Sequence, residues 1–264
     1  MMEIQEIRKR VYDENPLIHG ITNPISVNQC ANACLAVGAR PMMAEHPKEM
    51  AEITSSAKAL LLNLGSITQT RAKAMKRAAR VAKKQGIPVV LDLVGIACSS
   101  LRRAFAKRLI KLAAPDILKG NYSEIMALMR EEYRSAGVDA ESTIAEAELL
   151  PLMKGFAQKQ RTVLLASGRV DLITDGVRVI RVKNGTPRLA SVTGTGCVLG
   201  MLATSYLSIA TPIEAATTAC AILGISGELA AQKSGSGSFL TGLMDGISAI
   251  SGEVLTEKLR MEER

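Results

Sequence analysis

Apolar residues follow two spacings along the chain, one typical of buried strands and the other typical of helices. Short continuous apolar runs predict strands at 17–21, 41–44, 59–64, 87–91, 116–118 and 163–166. Helical spacing between these runs predicts helices at 1–13, 26–37, 48–56, 68–85 and 101–113. Strands that alternate with helices favour an α/β fold, in which helices cover both faces of a mostly parallel central sheet.

The last third of the chain has a different pattern. Two apolar runs at 172–174 and 177–182 flank Asp175-Gly176, a dipeptide that favours a tight turn, so we predict a hairpin there. Beyond Gly194 the spacing predicts helices at 197–208, 213–233 and 239–260. Neither a linker nor an internal repeat interrupts the pattern, so residues 1–264 are predicted to form a single domain. The polar, acidic stretch 135–148 is interpreted as a surface excursion.

Composition excludes several classes of protein. With 47% hydrophobic and 22% charged residues, the chain is neither intrinsically disordered nor collagen-like. Its 5 cysteines form no CxxC pair, which argues against a disulfide framework and favours a reducing, cytoplasmic compartment. The N-terminal stretch lacks the apolar core of a signal peptide, and the uncharged segment 189–213 is too rich in Gly, Thr and Ser for a membrane span. That segment is predicted to be a buried helix with a glycine-rich entry, and no membrane partner is expected.

The net charge of +8 is concentrated in one region. Residues 71–111 contain twelve Lys and Arg residues and a single acid, Asp92. Such a region can attract nucleic acid, anionic lipid or phosphorylated small molecules. We favour the simpler interpretation of two solvated helix faces. An aromatic content of 3% also argues against a single-stranded nucleic acid as partner, because that class of binding uses aromatic stacking.

Candidate chemistry lies where the predicted strands end, since parallel sheets bind ligands beyond the carboxyl ends of their strands. Asp92 follows a strand and is interpreted either as a ligand of Mg²⁺ through water or as a helix cap. Asn121 and Glu124 are three residues apart at a helix start, which suits a shared site or a capping box. Ser167 and Gly168 follow another strand and suit a nucleotide contact or an ordinary turn.

The sharpest feature is the sequence Gly194-Thr195-Gly196-Cys197, which opens a long apolar helix. Backbone N–H groups at a helix N-terminus point outward, so this segment is predicted to form an anion hole. Its spacing matches neither a P-loop nor a dinucleotide-binding fingerprint. Cys197 lies in the first turn, where the helix dipole favours a thiolate, and is interpreted as a nucleophile, a base or a small buried residue.

Several segments together resemble the hydroxyethylthiazole kinase family of the ribokinase-like superfamily. The matching segments are HGITN at 19–23, GARPMMA at 38–44, NLGS at 63–66, DLVG at 92–95, KGNYSE at 119–124, VTGTGC at 192–197 and GSF at 237–239 with Asp245. Each segment is weak alone, but their order and spacing are specific, and they extend along nearly the whole chain.

The resemblance implies a ribokinase-like three-layer sandwich that transfers the γ-phosphoryl group of ATP, with Mg²⁺, to the primary alcohol of 4-methyl-5-(2-hydroxyethyl)thiazole in thiamine salvage. It also implies a homotrimer whose thiazole pockets lie between subunits. Met43 and Gly194 would contact the thiazole, with Asn23 nearby. Cys197 stands where most kinases of the superfamily place an aspartate base.

The resemblance also assigns the nucleotide and the metal. Lys119 and Ser167 would contact ATP, and Asn121 and Gly168 lie beside them; Asp92 and Glu124 would organise Mg²⁺ and its waters.

Family members often have Arg at the position of Lys119 and Pro at the position of Leu93. Two alternatives remain, either another ribokinase-like enzyme (a hydroxymethylpyrimidine kinase or a nucleotide-hydrate dehydratase) or a non-catalytic, basic nucleic-acid-binding protein. The absence of an aspartate at 197 argues against the first, and the intact candidate site argues against the second.

Overall fold

A mixed, mostly parallel sheet forms the middle layer of the protein. The computed structural model describes residues 3–135, 144–233 and 235–264, so most of the predicted surface excursion lies outside the described residues. Within the described residues the sheet has nine strands in the order β2-β1-β3-β4-β5-β6-β7-β8-β9. The strands are β1 (Leu17–Ile21), β2 (Arg40–Met42), β3 (Ala59–Asn63), β4 (Val89–Asp92), β5 (Ile117–Asn121), β6 (Val163–Ser167), β7 (Asp171–Thr174), β8 (Val179–Val182) and β9 (Met261–Glu263). Pairing is parallel from β2 to β6 and antiparallel from β6 to β9.

Two helical layers cover the faces of this sheet, as the sequence predicts. One face carries α1 (Ile4–Glu14), α2 (Val27–Ala36), α8 (Thr195–Leu207), α9 (Pro212–Ala230), α10 (Ser236–Ala249) and α11 (Gly252–Lys258). The other face carries α3 (Met50–Ser56), α4 (Gln69–Gln85), α5 (Ser100–Ala113), α6 (Tyr122–Met129) and α7 (Glu146–Gln160). Side chains of β3 alternate between the two apolar cores, with Leu61 in the first and Leu60 and Leu62 in the second.

Most predicted elements are confirmed within a few residues, but the C-terminal part differs. The predicted helix 239–260 is wrong as a single element, because α10 ends at Ala249 and α11 begins after Ser251. The Ser251 side chain accepts a hydrogen bond from the Val254 amide and so caps a new helix where the apolar spacing continues. The short strand β9 was not predicted, since its Met-Glu-Glu sequence has no apolar run.

Two long apolar helices are buried in the first core. Nearly every residue of α8 is buried, which confirms the predicted buried helix behind a glycine-rich entry. Helix α9 is long and apolar enough to cross a membrane by length and composition, yet 89% of its most apolar window is buried inside the protein. Burial of this kind is the property of a core helix in a globular domain.

Each of the basic helices α4 and α5 has a buried arginine that makes polar contacts within the protein. Arg71 is buried and pairs with Glu45 at 2.9 Å. Arg103 is also buried and donates hydrogen bonds to the backbone carbonyls of Ile96, Glu131 and Tyr133. These arginines therefore hold neighbouring loops in place.

Candidate functional site

Three polar side chains lie at the carboxyl ends of adjacent parallel strands and point to the face covered by α8. Asn63 ends β3, Asp92 ends β4 and Lys119 lies near the end of β5. The register pairs Asn63 with Asp92 and Asp92 with Lys119. Because neighbouring strands lie about 4.8 Å apart, this register brings the three side chains within hydrogen-bonding reach.

Lys119 and Asp92 form a buried ion pair. Lys119 Nζ lies 3.0 Å from Asp92 Oδ1, and Asn63 Nδ2 donates to Asp92 Oδ2 at 2.7 Å. Burial raises the pKa of the Asp92 carboxyl group, and the Lys119 ammonium and the Asn63 amide oppose that rise. Burial acts to lower the pKa of Lys119, but the charges of Asp92 and Glu124 outweigh it and raise that pKa. Lys119 is therefore a fixed cation within the site.

The interpretation of Asp92 as a helix cap is wrong. Helix α5 is capped by Ser99, whose side chain accepts a hydrogen bond from the Arg102 amide. A turn of several residues separates this cap from Asp92. The carboxylate is therefore available to the site.

Asn23 connects this pair to the cysteine. Its Oδ1 accepts hydrogen bonds from the amides of Ile25 and Ser26, and these bonds form a turn before α2. Its Nδ2 donates to Asn63 Oδ1 at 3.2 Å and lies 3.3 Å from Cys197 Sγ. A continuous chain of polar contacts thus joins Cys197 to Asp92 through two buried amides.

The N-terminus of α8 closes the site from above the sheet. Gly194 is its cap residue, with φ +90°, a conformation that glycine adopts without strain. The following amides, at Thr195, Gly196 and Cys197, lie in the first turn, where N–H groups have no intrahelical partner. A Cβ added to Gly196 would lie 3.3 Å from Lys119 Nζ, so the ammonium approaches this first turn closely. The helix dipole, the free amides and the lysine together favour an anion at this place.

Glu124 has the capping role that the sequence left open. Asn121 Oδ1 accepts from the Glu124 amide at 2.8 Å, and Glu124 Oε2 accepts from the Asn121 amide at 2.8 Å. Its Oε1 accepts from the Gly95 amide at 2.6 Å. Burial raises the pKa of Glu124 to about 7, opposed by Lys119 and by these amides.

The two carboxylates suit Mg²⁺ through water. Among the described residues, no cluster of three or more His, Cys, Asp or Glu side chains is arranged to hold a metal ion. The carboxylate oxygens of Asp92 and Glu124 already accept hydrogen bonds from donors within the protein. Mg²⁺ keeps several waters and commonly uses one or two carboxylates plus substrate phosphates, so this donor set fits indirect binding.

A second loop beyond β6 contains Ser167 and Gly168. The ring of Tyr122 packs against Gly168, where an added Cβ would lie 2.8 Å from Tyr122 Cε1. The Tyr122 hydroxyl donates to the Val170 carbonyl at 2.7 Å, and the Gly168 amide donates to Asp171 Oδ1 at 3.0 Å. The register also sets Ser167 beside Asn121, so the loop and the α6 cap lie together at the same edge.

The pKa of Asp171, which follows this loop, predicts a dependence of stability on pH. Burial raises the pKa of its carboxyl group from 3.8 to about 6. A raised folded-state pKa adds stability at low pH, and this contribution is lost as the pH rises through about 6. Asp171→Asn keeps an oxygen for the Gly168 amide but carries no charge. We expect it to raise the free energy of unfolding by about 1 kcal/mol at pH 8, with partial exposure reducing the effect, and by little at pH 4.

Urea denaturation at both pH values measures this difference. Asp175→Asn on the exposed hairpin turn is the matched control, and it should not reproduce the pH dependence. A gain of equal size at pH 4 and pH 8 would contradict a charge effect.

An apolar wall lies beside the polar chain. Gly20 of β1 allows two methionines to pack against the strand, since an added Cβ would lie 2.7 Å from Met201 Cε and 3.1 Å from Met43 Cε. Met43 follows β2, which ends one residue earlier, and is half-buried. His19 of β1 contacts Thr54 Oγ1 and the Ala44 carbonyl through its two ring nitrogens, and burial lowers its pKa. It therefore has a structural role in the core.

The structure thus gathers most of the predicted site residues at one edge of the sheet. Asn63 and Asp171 also belong there, although the sequence analysis gave them no role. Asn63 ends β3, and Asp171 begins β7 directly after the turn that follows β6, so the strand-end rule contained the signal for them. Gln29, whose side chain packs on Gly194, was not predicted because it lies on α2, far in sequence from Gly194.

The chain matches known proteins along nearly its whole length. The sequence profile of the hydroxyethylthiazole kinase family matches residues 8–253. Hydroxyethylthiazole kinase 2 of Clostridium botulinum (strain Langeland) is 41% identical over 261 residues, which cover 97% of this chain and 98% of the relative. The solved structure of hydroxyethylthiazole kinase from Pyrococcus horikoshii OT3 superposes with a TM-score of 0.91 at 33% identity, covering 99% of this chain and 98% of that chain.

A more distant solved structure shares the fold. Pyridoxal kinase of Staphylococcus aureus, in complex with AMP-PCP and pyridoxal, superposes with a TM-score of 0.66 at 15% identity, covering 94% of this chain and 98% of that chain. The predicted ribokinase-like sandwich is therefore confirmed.

Proposed function

The chain belongs to the hydroxyethylthiazole kinase family and is a kinase, and from this premise we propose its reaction. It transfers the γ-phosphoryl group of ATP to the primary hydroxyl of 4-methyl-5-(2-hydroxyethyl)thiazole, which yields the thiazole phosphate for thiamine salvage. The observation that carries the proposal is the approach of Lys119 Nζ to the first turn of α8, beside the Cys197 thiol.

Charge stabilisation at this point suits phosphoryl transfer, which depends mainly on positioning and on neutralising the equatorial oxygens. The amides from Gly194 to Cys197 hold those oxygens in the proposal, and Lys119 supplies a fixed positive charge. Because Asp92 holds the lysine and Asn63 in turn holds Asp92, the lysine charge needs no reorganisation during the reaction.

Cys197 is the proposed general base. Its thiolate accepts the proton of the substrate hydroxyl while the hydroxyl oxygen forms a bond to the γ-phosphorus. The bond from that phosphorus to the bridging oxygen breaks, and ADP leaves with the electron pair. Asn23 Nδ2, at 3.3 Å, stabilises the thiolate by a hydrogen bond.

Nucleotide and metal are assigned to neighbouring residues. Ser167 and Gly168 would contact ATP beyond β6, next to Asn121, and Asp92 and Glu124 would hold the waters of Mg²⁺. When bound, Mg²⁺ neutralises phosphate charge and orients the nucleotide. The thiazole ring lies against Met43 and Gly194, close to Asn23, where the apolar wall meets the polar chain.

The remaining expectations concern the whole molecule. We propose that residues 1–264 act as one domain and that three copies assemble with the thiazole pockets between them. The exposed apolar side chains of Ile25 and Leu35, 63% and 56% exposed, support an apolar subunit contact. Five free cysteines agree with a reducing cytoplasm.

ADP formation tests the reaction directly. The assay contains ATP and Mg²⁺, with the thiazole alcohol present or omitted, and hydroxymethylpyrimidine as the control acceptor. We expect ADP to depend on the thiazole alcohol. A rate that is unchanged without acceptor, or higher with the pyrimidine alcohol, would contradict the assignment.

A further inference from the structure

Three buried polar atoms on α2 and in the segment before it have no use in the mechanism. Thr22 Oγ1, Ser26 Oγ and Gln29 Oε1 are buried side-chain atoms without a hydrogen-bond partner among the described residues. Leaving such an atom unpaired costs about 1–3 kcal/mol. A buried atom of this kind with no partner nearby therefore indicates a missing hydrogen-bonding group.

Gln29 is the member that lies directly against the proposed acceptor pocket. A Cβ added to Gly194 would lie 2.1 Å from Gln29 Oε1 and 3.2 Å from Ser26 Cβ. The amide thus packs on the backbone of the residue that leads into the anion hole. Any molecule held against Gly194 on this side meets the Gln29 side chain.

The two hydroxyls differ from Gln29 because another side chain faces them. Burial raises the pKa of the Cys30 thiol to about 12, and Ser26 and Thr22 lie close enough to lower it in part. Gln29 Oε1, in contrast, forms no hydrogen bond with any of the described residues. Rotation of the amide by 180° exchanges its oxygen and its NH₂ group, so Gln29 can accept or donate at the same place.

The apolar wall near Gly20 bears on which part of the acceptor Gln29 meets. Gly20 and Thr22 follow each other at a spacing of two along β1 and its extension, so they lie on the same face. The methionine wall at Gly20 thus lies on the face that continues to Thr22, and apolar ring atoms of the acceptor would pack against it. In the proposed complex the hydroxyl of the thiazole alcohol is directed to Cys197. The ring nitrogen is then the remaining nitrogen of the acceptor that can form a hydrogen bond.

We propose that the Gln29 side-chain amide donates a hydrogen bond to the ring nitrogen of the bound acceptor and thereby determines which aromatic alcohols are phosphorylated. This inference rests on the proposed function. A neutral amide suits a neutral heteroaromatic ring, because it satisfies the nitrogen without burying a charge. Rings with the same shape but without the nitrogen bind less well, since the amide then stays unpaired.

The test compares two acceptors that differ at one ring atom. One is the thiazole alcohol, and the other is 2-(3-methylthiophen-2-yl)ethanol, in which C–H replaces the nitrogen. Wild type is expected to favour the thiazole by roughly threefold to tenfold in kcat/KM, the usual effect of one neutral hydrogen bond. Gln29→Leu is expected to lose this preference and to keep its rate with the thiophene alcohol.

Asn32→Leu is the matched control, because it removes an exposed amide from the same helix. It should retain the preference of wild type. An undiminished preference in Gln29→Leu, or an equal loss for both acceptors, would overturn the inference and leave the proposed function standing. Failure of wild type to phosphorylate either alcohol would overturn the proposed function and the inference together.

Discussion

Cys197→Ala lowers kcat by about 10²–10⁴, with smaller changes in the KM values for ATP and for the thiazole alcohol, if the thiol is the general base. The expected split follows from geometry. Cys197 contributes its side chain to proton transfer and only its backbone amide to the anion hole, and alanine keeps that amide. Cys197→Ser should be nearly as slow, because a serine hydroxyl is a much weaker acid and forms no anion at neutral pH.

Steady-state kinetics of both variants check this expectation. Cys34→Ala is the matched control, because it removes a fully buried thiol from α2 in the same apolar core. Its kcat should remain within a few-fold of wild type. A kcat for Cys197→Ala close to that of wild type would remove Cys197 from proton transfer, and an equal loss of affinity for both substrates would indicate collapse of the loop instead.

Asp92→Asn is expected to lower the free energy of unfolding and to increase the Mg²⁺ requirement. Without the carboxylate, Lys119 keeps its buried charge but loses its nearest anion, and removing one partner of a buried pair costs about 3–5 kcal/mol. Because Glu124 remains near Lys119, we expect the loss in the free energy of unfolding to lie at the lower end of this range, at about 3 kcal/mol. The half-saturating Mg²⁺ concentration rises because one of two carboxylates no longer orders its waters.

The double variant Asp92→Asn with Lys119→Met separates the two effects. It removes both charges, so stability in urea is expected to recover most of the loss while kcat stays low. With Lys119→Met alone added, wild type, the two single variants and the double variant form a cycle that isolates the pair energy. An unchanged Mg²⁺ titration in Asp92→Asn would remove Asp92 from the metal site, and an unchanged stability would mean that Glu124 alone holds the lysine.

Much of the fold could be predicted from the sequence because buried parallel strands are continuous apolar runs. The run that became β3 is apolar from Ala59 to Leu62, and the strand was predicted at 59–64, one residue longer than observed. β9 could not be found in this way, since its strand character comes from pairing with β8. The break before α11 was also missed, because the helical spacing of apolar residues continues across the short break at its cap residue.

The candidate site was predictable at strand ends and not on helices. Asp92 and Lys119 follow from the strand-end rule, whereas their direct contact needed the register of β4 and β5. The sequence left open whether Glu124 caps a helix or binds a ligand. In the structure it forms the capping box of α6, and its carboxylate also lies near Lys119. Gln29 meets Gly194 only because α2 and α8 pack on the same face of the sheet.

The two edges of the sheet limit how copies of this protein can associate. β2 has Pro41 at its centre, which lacks an amide hydrogen, and β9 carries two exposed glutamates, Glu262 and Glu263. Proline and charge both oppose the addition of another strand at an edge. Continuation of the sheet from one molecule into the next is therefore disfavoured at either end, which protects the protein from fibre-like aggregation and leaves its helical surfaces for assembly.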